Sequence, residues 1–198
     1  KFLTKKQNWL LTFYSGLAFS PLAVFSGLWG NPFLQEAYNL TNTQAAGYVT
    51  LSFVGLGLGA PLFGFLSDKL GNRVKVMSSG TLLSLLALVC MLYGPTGSKF
   101  LLGTEMFFFG LGTGAFMLGF TLGKEWNALA MTATVVAMIN TGDALFGAFS
   151  EPFVGKLLDV FSTGRVHHSS HFALSDFHKA FFVLPVYLVL ALVFAYFL

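Results

Sequence analysis

The sequence predicts an all-α membrane protein with six transmembrane helices. Of its 198 residues, 55% are hydrophobic and only 10% are charged, and the mean hydropathy is +0.73. One soluble domain of this length cannot bury so much apolar surface. The apolar residues form six long runs without the short alternating pattern of a membrane β-barrel. Helices are therefore expected, because a helix satisfies its own backbone hydrogen bonds in lipid.

Each run is long enough to cross a hydrocarbon core, which takes about 20 apolar residues in a helix. Pro21 and Pro32 are expected to interrupt the first helix, since proline removes a backbone donor. Thr41 is placed to cap the second helix. No cleavable signal peptide is expected, because the first run is too long and lacks a small-residue cleavage site. The predicted spans lie near residues 8–30, 43–67, 74–94, 99–122, 129–157 and 177–198.

Positive charge orients the predicted helices. If the chain starts in the cytoplasm, seven of the eleven Lys and Arg residues lie in cytoplasmic segments and four lie in outer segments. This is the bias expected of membrane proteins. The net charge of +3 does not indicate nucleic-acid binding, because the basic residues separate the apolar runs and form no basic face. The single cysteine, Cys90, cannot form an internal disulfide.

Two octapeptides relate the two halves of the chain. PLFGFLSD at 61–68 and PFVGKLLD at 152–159 both fit P-x-x-G-x-L-x-D, and they are 91 positions apart. The same shift brings the first predicted span almost onto the fourth, so spans one to three are predicted to repeat as spans four to six. The third pair fits only after an insertion in the polar loop 162–176. Because three is odd, the second copy runs in the opposite direction, which gives the 3+3 inverted repeat of many secondary transporters.

A charged loop follows the second predicted span. Its glycines have a physical use, since Gly64 leaves room for a neighbouring helix and Gly71 permits a positive φ in a tight turn. Asp68 can pair with Arg73 or face the N-terminus of another helix. The loop closely resembles the G-x-L-x-D-[RK]-x-G-x-[RK]-x-[RK] signature of the major facilitator superfamily, through residues Gly64, Asp68, Lys69, Gly71, Arg73 and Lys75 of the stretch GFLSDKLGNRVK. The resemblance implies that this gating motif acts as a latch, which holds one conformation and releases in the other; simple anchoring of the loop to the interface is the alternative.

The resemblance also implies a twelve-helix transporter fold, of which residues 1–198 are similar to one six-helix half. Three features favour the C-terminal half: a basic start that is not a signal, a fifth helix that resembles the eleventh of the family, and a last residue at the end of the last span. The missing N-terminal half is then an expected partner. The implied function is secondary-active transport of a small-molecule substrate by alternating access, with protons as an expected coupling ion in a symporter. The implied location is the cytoplasmic (inner) membrane, as a multi-pass protein.

Two acids lie at membrane depth and are candidates for the proton or substrate pathway. Glu105 is about two turns into the fourth predicted span, and Asp143 is near the middle of the fifth, three residues after Asn140. Carboxylates in such places face a cavity or a partner and often mark ion or substrate paths. Either one could carry a proton; a hydrogen bond to a neighbouring helix or to the absent half is the alternative. Glu105 ranks first, because the first and fourth helices of each half line the central cavity in the family.

The polar face of the first predicted span offers further candidates for substrate contact, Tyr14 and Gln35. The outer loop contains histidines that could titrate or simply be solvated. No carboxylate or cysteine is placed to complete a zinc site with them, so no metal and no cofactor is expected. These histidines are His167, His168 and His171, followed by His178.

Other classes of protein are less well supported. An enzyme is not expected, because no HExxH, GxSxG or similar arrangement is present. Two alternatives to a half-transporter stay open. One is a six-helix scaffold or receptor that transports nothing, and the other is a half-size transporter that assembles from two identical copies.

Overall fold

The computed structural model describes residues 5–94, 98–162 and 172–198. All regular secondary structure in these ranges is helical. In chain order the elements are α1 (Lys6–Val24), a π-helical turn (Phe25–Trp29), α2 (Gly30–Tyr38), α3 (Asn42–Leu70), α4 (Arg73–Tyr93), α5 (Lys99–Thr113), a 3₁₀ turn (Gly114–Met117), α6 (Leu118–Glu125), a 3₁₀ turn (Leu129–Met131), α7 (Thr132–Ser162), α8 (Leu174–Ala180) and α9 (Val183–Tyr196).

These elements join into six helical segments that are long and apolar enough to cross a membrane, which confirms the predicted fold class. They are called spans 1 to 6 here: Lys6–Tyr38, Asn42–Leu70, Arg73–Tyr93, Lys99–Glu125, Leu129–Ser162 and Leu174–Tyr196. The largest difference from the prediction is the outer end of span 1, which continues beyond residue 30 to Tyr38. The added helix α2 contains the polar residues Asn31, Gln35 and Glu36, so the hydropathy of this segment does not identify it as part of the span.

Local side chains explain several helix ends. Thr41 caps span 2 as predicted: its hydroxyl accepts from the backbone N–H of Gln44 at 3.3 Å, and the Gln44 side chain accepts in return from the Thr41 N–H at 3.1 Å. Asn72 and Ser98 cap spans 3 and 4 by accepting from the backbone N–H groups of Lys75 and Leu101, respectively. Each cap supplies an acceptor to a backbone donor that has no partner inside its helix.

Span 1 is one continuous but irregular helical rod. Pro21 lies inside α1 and does not end it, which differs from the expected interruption. The irregularity comes one turn later, in the π-helical turn Phe25–Trp29, and Pro32 falls in the first turn of α2. Proline is tolerated there because the first N–H groups of a helix have no intrahelical partner. π-helical turns are frequent at functional sites.

Spans 1 and 4 form the centre of the bundle, whereas spans 2 and 5 are its most exposed members. In the most apolar window of each helix, 72% of span 1 and 67% of span 4 is buried, against 22% for both span 2 and span 5. Span 2 packs mainly on span 4, and span 5 packs mainly on span 1. Two apolar clusters fill the interior, one around Phe25, Phe33 and Phe181 and the other around Tyr14 and Phe116.

Gly55 and Gly59 on span 2 are four positions apart, as are Gly110 and Gly114 on span 4, and this small-xxx-small spacing predicts close helix packing. Glycine does bring span 4 into backbone contact with span 2. A Cβ atom at Gly110 would overlap the carbonyl oxygen of Ser52, and one at Gly114 would lie 2.6 Å from the backbone nitrogen of Ala60. From the other side, a Cβ at Gly55 would overlap the carbonyl of Phe107. Only glycine permits this approach.

Pairs of hydroxyl groups join the spans inside the bundle. Ser26 and Ser52 link spans 1 and 2 at 2.7 Å, and Ser84 and Thr113 link spans 3 and 4 at 2.9 Å. In each pair both side chains gain a partner, so these buried polar groups are satisfied without water.

Candidate functional site

The loop between spans 2 and 3 is a tight turn. Gly71 adopts a left-handed conformation with φ +62°, and its N–H bonds the carbonyl of Ser67 at 3.0 Å to close the helix. A left-handed residue after a helix is most often glycine, because a Cβ is disfavoured there. The predicted role of Gly71 is confirmed. The turn brings Asp68 at the end of α3 close to Arg73 at the start of α4.

Arg73 is the centre of an ionic network at this turn. Its Nη1 bonds Asp68 Oδ1 at 2.9 Å and Ser67 Oγ at 2.7 Å, so the pairing predicted within the loop is present. Its Nε and Nη2 bond Glu125 at 2.9 and 2.6 Å. Such paired contacts from one guanidinium are stronger and more directional than single ones. The network therefore fastens the loop to the C-terminal end of span 4.

Glu125 did not emerge from the sequence. It lies 52 positions from Arg73 and outside any motif. The available signal was its position, because it is an acid at the predicted cytoplasmic end of span 4, on the same side of the membrane as the basic loop. Only the packing of span 4 against spans 2 and 3 selects it as the partner of Arg73.

The other members of the motif lie at the surface. The expectation that Gly64 makes room for a neighbouring helix is wrong within the described chain, because a Cβ added there would meet no atom within 4 Å. Gly64 is half-buried on span 2, and a side chain at its position would enter open space. Lys69 and Lys75 are exposed and form no salt bridge with the described residues.

A second set of contacts holds the neighbouring loop between spans 4 and 5. Asn127 donates to Asn8 Oδ1 at 2.9 Å and to the Gly123 carbonyl at 2.8 Å. Lys5 donates to the Trp126 carbonyl at 3.1 Å. Residues 125–127 are thus bound from one side by Arg73 and from the other by the start of span 1.

Glu105 lies in the outer half of span 4 and is 9% exposed. Its carboxylate makes no hydrogen bond or ion pair with the residues that the structure describes, and Tyr38 in the last turn of α2 is a titratable neighbour. A carboxyl group in this position is available for a ligand or a proton.

Asp143 lies between spans 5 and 1. It is 5% exposed, and its polar neighbour is the hydroxyl of Ser15. Asn140, predicted to share its face, is exposed on span 5. The two side chains are one turn apart and differ in direction, because Asp143 points into the bundle and Asn140 points out of it.

The two candidates on span 1 have different surroundings. Tyr14 is fully buried, and its hydroxyl lies 2.9 Å from Thr81 Oγ1 and 3.3 Å from the Met77 carbonyl of span 3. In this structure Tyr14 joins two helices and presents no atom to a cavity. Gln35 donates to Asn31 at 2.7 Å and lines an outer cleft of about 630 Å³.

The outer histidines are only partly described. His167, His168 and His171 lie outside the described residues. His178 packs against the rings of Tyr93 and Phe33, with centroid distances of 5.5 and 6.2 Å. Among the described residues no group of three or more His, Cys, Asp or Glu side chains could hold a metal ion.

Comparison with known proteins gives one family. A family model described as Major Facilitator Superfamily matches residues 9–198, which includes all six spans almost completely. No curated protein matches the chain significantly.

Proposed function

The chain belongs to the Major Facilitator Superfamily, and from this premise we propose that it is the C-terminal six-helix half of a secondary-active transporter. Members of the family are transporters, so a small-molecule substrate and a lipid bilayer are implied, and the six apolar helices make this a multi-pass membrane protein. The proposed mechanism is alternating access, in which this half rocks against an N-terminal half in the cytoplasmic membrane. Solute transport, and not an enzymatic reaction, is the proposed activity.

The exposed sides of spans 2 and 5 support the proposal of a second half. Both spans are 22% buried in their apolar windows, and both carry polar or small side chains on an exposed side, including Thr50 and Gly57 on span 2 and Asn140 and Ala144 on span 5. Thr50 bonds the Ala46 carbonyl of its own helix, but lipid offers Asn140 no hydrogen bond, whereas a facing helix or a solute pathway does, and the small residues permit a helix to approach closely. The repeated P-x-x-G-x-L-x-D motif lies on the same two spans, and we propose that they are equivalent members of a 3+3 inverted repeat.

The Arg73 network is the observation that carries the proposed mechanism. It joins the loop between spans 2 and 3 to span 4 through Asp68 and Glu125, and it is half-exposed at the cytoplasmic surface. Surface ion pairs contribute about 0–1 kcal/mol each, so a few of them can be made and broken during a transport cycle. We propose that the network latches one conformation of the transporter.

Cysteine labelling tests the latch without knowledge of the substrate. Asn140, proposed to line the pathway, is replaced by cysteine in the full-length protein after Cys90→Ala removes the cysteine of this half. A membrane-impermeant maleimide is applied to inside-out vesicles. Asp68→Asn is expected to change the labelling rate by roughly 5-fold or more, since a shift of 1 kcal/mol or more between two states has that effect.

Asp159→Asn is the matched control, because Asp159 occupies the equivalent position of the second octapeptide and is exposed at the other end of the bundle. Its labelling rate should equal that of the parent. Equal rates for Asp68→Asn and the parent, at equal expression, would exclude the latch.

Proton coupling is proposed from the buried carboxyl groups Glu105 and Asp143. Proteoliposomes with the full-length protein and a pH-sensitive dye are exposed to a panel of small organic acids, amino acids and sugars. Glu105→Gln should abolish solute-driven proton movement while solute exchange persists. Proton movement at full strength in this variant would remove Glu105 from the pathway.

The two alternatives, a non-transporting scaffold and a half-size transporter of two identical copies, are separated by the mass of the native polypeptide. A polypeptide isolated from its native membrane should have about twice the mass of 21.5 kDa calculated for this chain. A mass near 21.5 kDa would contradict the two-half proposal, and cross-linking would then distinguish a dimer from a scaffold.

A further inference from the structure

We propose that Asp143 and Ser15 form a proton-binding site between spans 5 and 1, and that the site releases its proton only when these two spans separate. The inference rests on the proposed function and deepens it, because for Asp143, one of the two carboxyl groups proposed to couple protons, it names the hydroxyl group that shares the proton. It also names the helix contact whose opening is linked to the proton.

Both groups are buried and lack a complete hydrogen bond. Asp143 is 5% exposed and Ser15 is 0% exposed. Neither Asp143 Oδ1 nor Ser15 Oγ has a hydrogen-bond partner in the described chain, although the hydroxyl is the polar neighbour of the carboxyl group. Buried polar groups almost always have a hydrogen-bond partner, so two adjacent groups that both lack one need an explanation.

Ser15 differs from the other hydroxyl residues of its helix. Thr12 donates to the Asn8 carbonyl at 2.8 Å, and Ser20 donates to the Gly16 carbonyl at 2.5 Å. Both hydroxyls are thereby bound to their own backbone, as is usual for Ser and Thr inside a helix. Ser15 makes no such bond and is left free to interact with Asp143 across the contact.

The helices are too close at this level to leave the carboxyl group in water. A Cβ at Gly142 would overlap the Thr12 side chain, and a Cβ at Gly16 would overlap the ring of Phe146. These two contacts lie on either side of the Ser15–Asp143 pair along the helices. An ionised carboxylate in such a place would lose its hydration without gaining a partner, which favours the neutral acid.

No described cation compensates a charge on Asp143. Tyr14 of span 1 is directed to Thr81, and Tyr187 of span 6 lies 3.2 Å from Ser150. The remaining charged or titratable side chains of α7 and of the packed helices α1, α6, α8 and α9 lie nearer the two ends of the bundle; they are Lys6, Lys124, Glu125, Glu151, Lys156, Asp159, Asp176, His178, Lys179 and Tyr196.

The pair suits a proton better than a metal ion. The neutral carboxyl group donates its O–H to Ser15 Oγ, and two side-chain oxygens suffice for this. Hard metal cations take about six or more oxygen ligands. When the spans separate and water enters, the O–H bond breaks, the proton passes to water and the carboxylate remains hydrated. Reclosure requires a proton to return, and this requirement couples protonation to movement.

Infrared spectroscopy of the full-length protein in proteoliposomes tests the site directly. Difference spectra between acid and alkaline pH should contain the C=O band of a protonated carboxyl group. The band should be absent from the spectrum of Asp143→Asn, and Ser15→Ala should shift its frequency because a hydrogen bond is lost. Ser20→Ala is the matched control and should leave the band unchanged, since that hydroxyl is bound to its own helix.

Several results would overturn the inference. One is an identical band in the parent and in Asp143→Asn, which would mean that Asp143 is not protonated. Another is a carboxylate signal that follows the Na⁺ concentration at constant pH, which would indicate a sodium site. If Asp143→Asn fails to fold, the comparison of Ser15→Ala with Ser20→Ala is sufficient. Identical spectra of these two variants would show that Ser15 does not bind the Asp143 carboxyl group. No solute is needed, so this outcome is independent of whether transport is demonstrated.

Discussion

Two helix pairs of similar extent are built differently. Where span 2 meets span 4, glycines on both helices bring backbone against backbone, and the nearby buried hydroxyls are paired. Where span 5 meets span 1, the glycines accommodate side chains instead, and the polar groups between them, Ser15 and Asp143, have no partner. The first contact has no adjustable part, because backbone atoms cannot rotate away. The second contains side chains that can change rotamer and a group that can change charge.

The difference indicates which contact is able to move. Packed interiors switch between discrete arrangements and do not deform continuously, so a movable contact needs an alternative state of comparable free energy. Hydration of Asp143 supplies such a state for spans 1 and 5. Spans 2 and 4 have none, because a gap there would leave backbone surfaces without contact. We therefore expect the membrane-embedded contact between spans 2 and 4 to persist when spans 1 and 5 separate.

The largest effect is expected from Gly110→Ala in the contact between spans 2 and 4. The new methyl group would overlap the Ser52 carbonyl, and neither backbone can yield without moving a whole helix. The expected loss is about 3 kcal/mol of unfolding free energy or more, measured by thermal unfolding of the full-length protein in detergent. Gly47→Ala near the start of span 2 is the control and should cause no loss, since no atom lies within 4 Å of its position. Equal stability of the two variants would contradict the rigid contact.

Gly142→Ala in the contact between spans 5 and 1 should have a smaller effect. Its methyl group meets the Thr12 methyl group, which can rotate away only with loss of the Thr12–Asn8 hydrogen bond, but alanine is a better helix former than glycine by about 1 kcal/mol. The expected net loss is about 1 kcal/mol by the same unfolding measurement. A loss as large as that of Gly110→Ala would remove the distinction between the two contacts.

The smallest effect on stability is expected at the cytoplasmic network. Arg73→Lys keeps the charge but loses the fork that binds Glu125 and Asp68. Because the network is partly solvated, the expected loss is below about 1 kcal/mol, while cytoplasmic labelling of a cysteine at Asn140 should change as it does for Asp68→Asn. Lys69→Gln, at an exposed lysine of the same loop, should change neither the unfolding free energy nor the labelling rate. A large loss of stability with unchanged labelling would make Arg73 a structural residue and not a latch.

The fold was largely predictable and the site only in part. Length and hydropathy locate all six spans, because lipid imposes them on any sequence of this kind. The glycine spacing on spans 2 and 4 likewise predicts close packing. The arrangement of one loop was also predictable from the sequence, because Asp68, Gly71 and Arg73 are placed as their spacing suggests. Gly64 shows the limit of such predictions, because a sequence motif does not say whether the helix that packs against its glycine belongs to this bundle.

What could not be predicted depends on contacts between distant parts of the chain. Glu125 reaches Arg73, and Ser15 reaches Asp143, only through the packing of whole helices. For the same reason Tyr14, a polar residue on an apolar helix, was open to interpretation as a ligand contact, whereas the structure gives it Thr81 as a partner. Sequence patterns identify polar groups in a membrane but do not state which of them are satisfied.

The most direct test of the central claim compares two alanines, one in each contact. Ala23 lies against Gly147 where spans 1 and 5 meet, and Ala60 lies against Gly114 where spans 2 and 4 meet. Each is changed to cysteine in the full-length protein with Cys90→Ala, and maleimide labelling is followed over a range of pH. The ratio of the two rates cancels the intrinsic pH dependence of thiol reactivity. The account predicts that labelling at Ala23→Cys rises relative to Ala60→Cys as Asp143 ionises, and that Asp143→Asn makes the ratio constant. A ratio that does not change with pH in the parent, or that changes equally in Asp143→Asn, would contradict it.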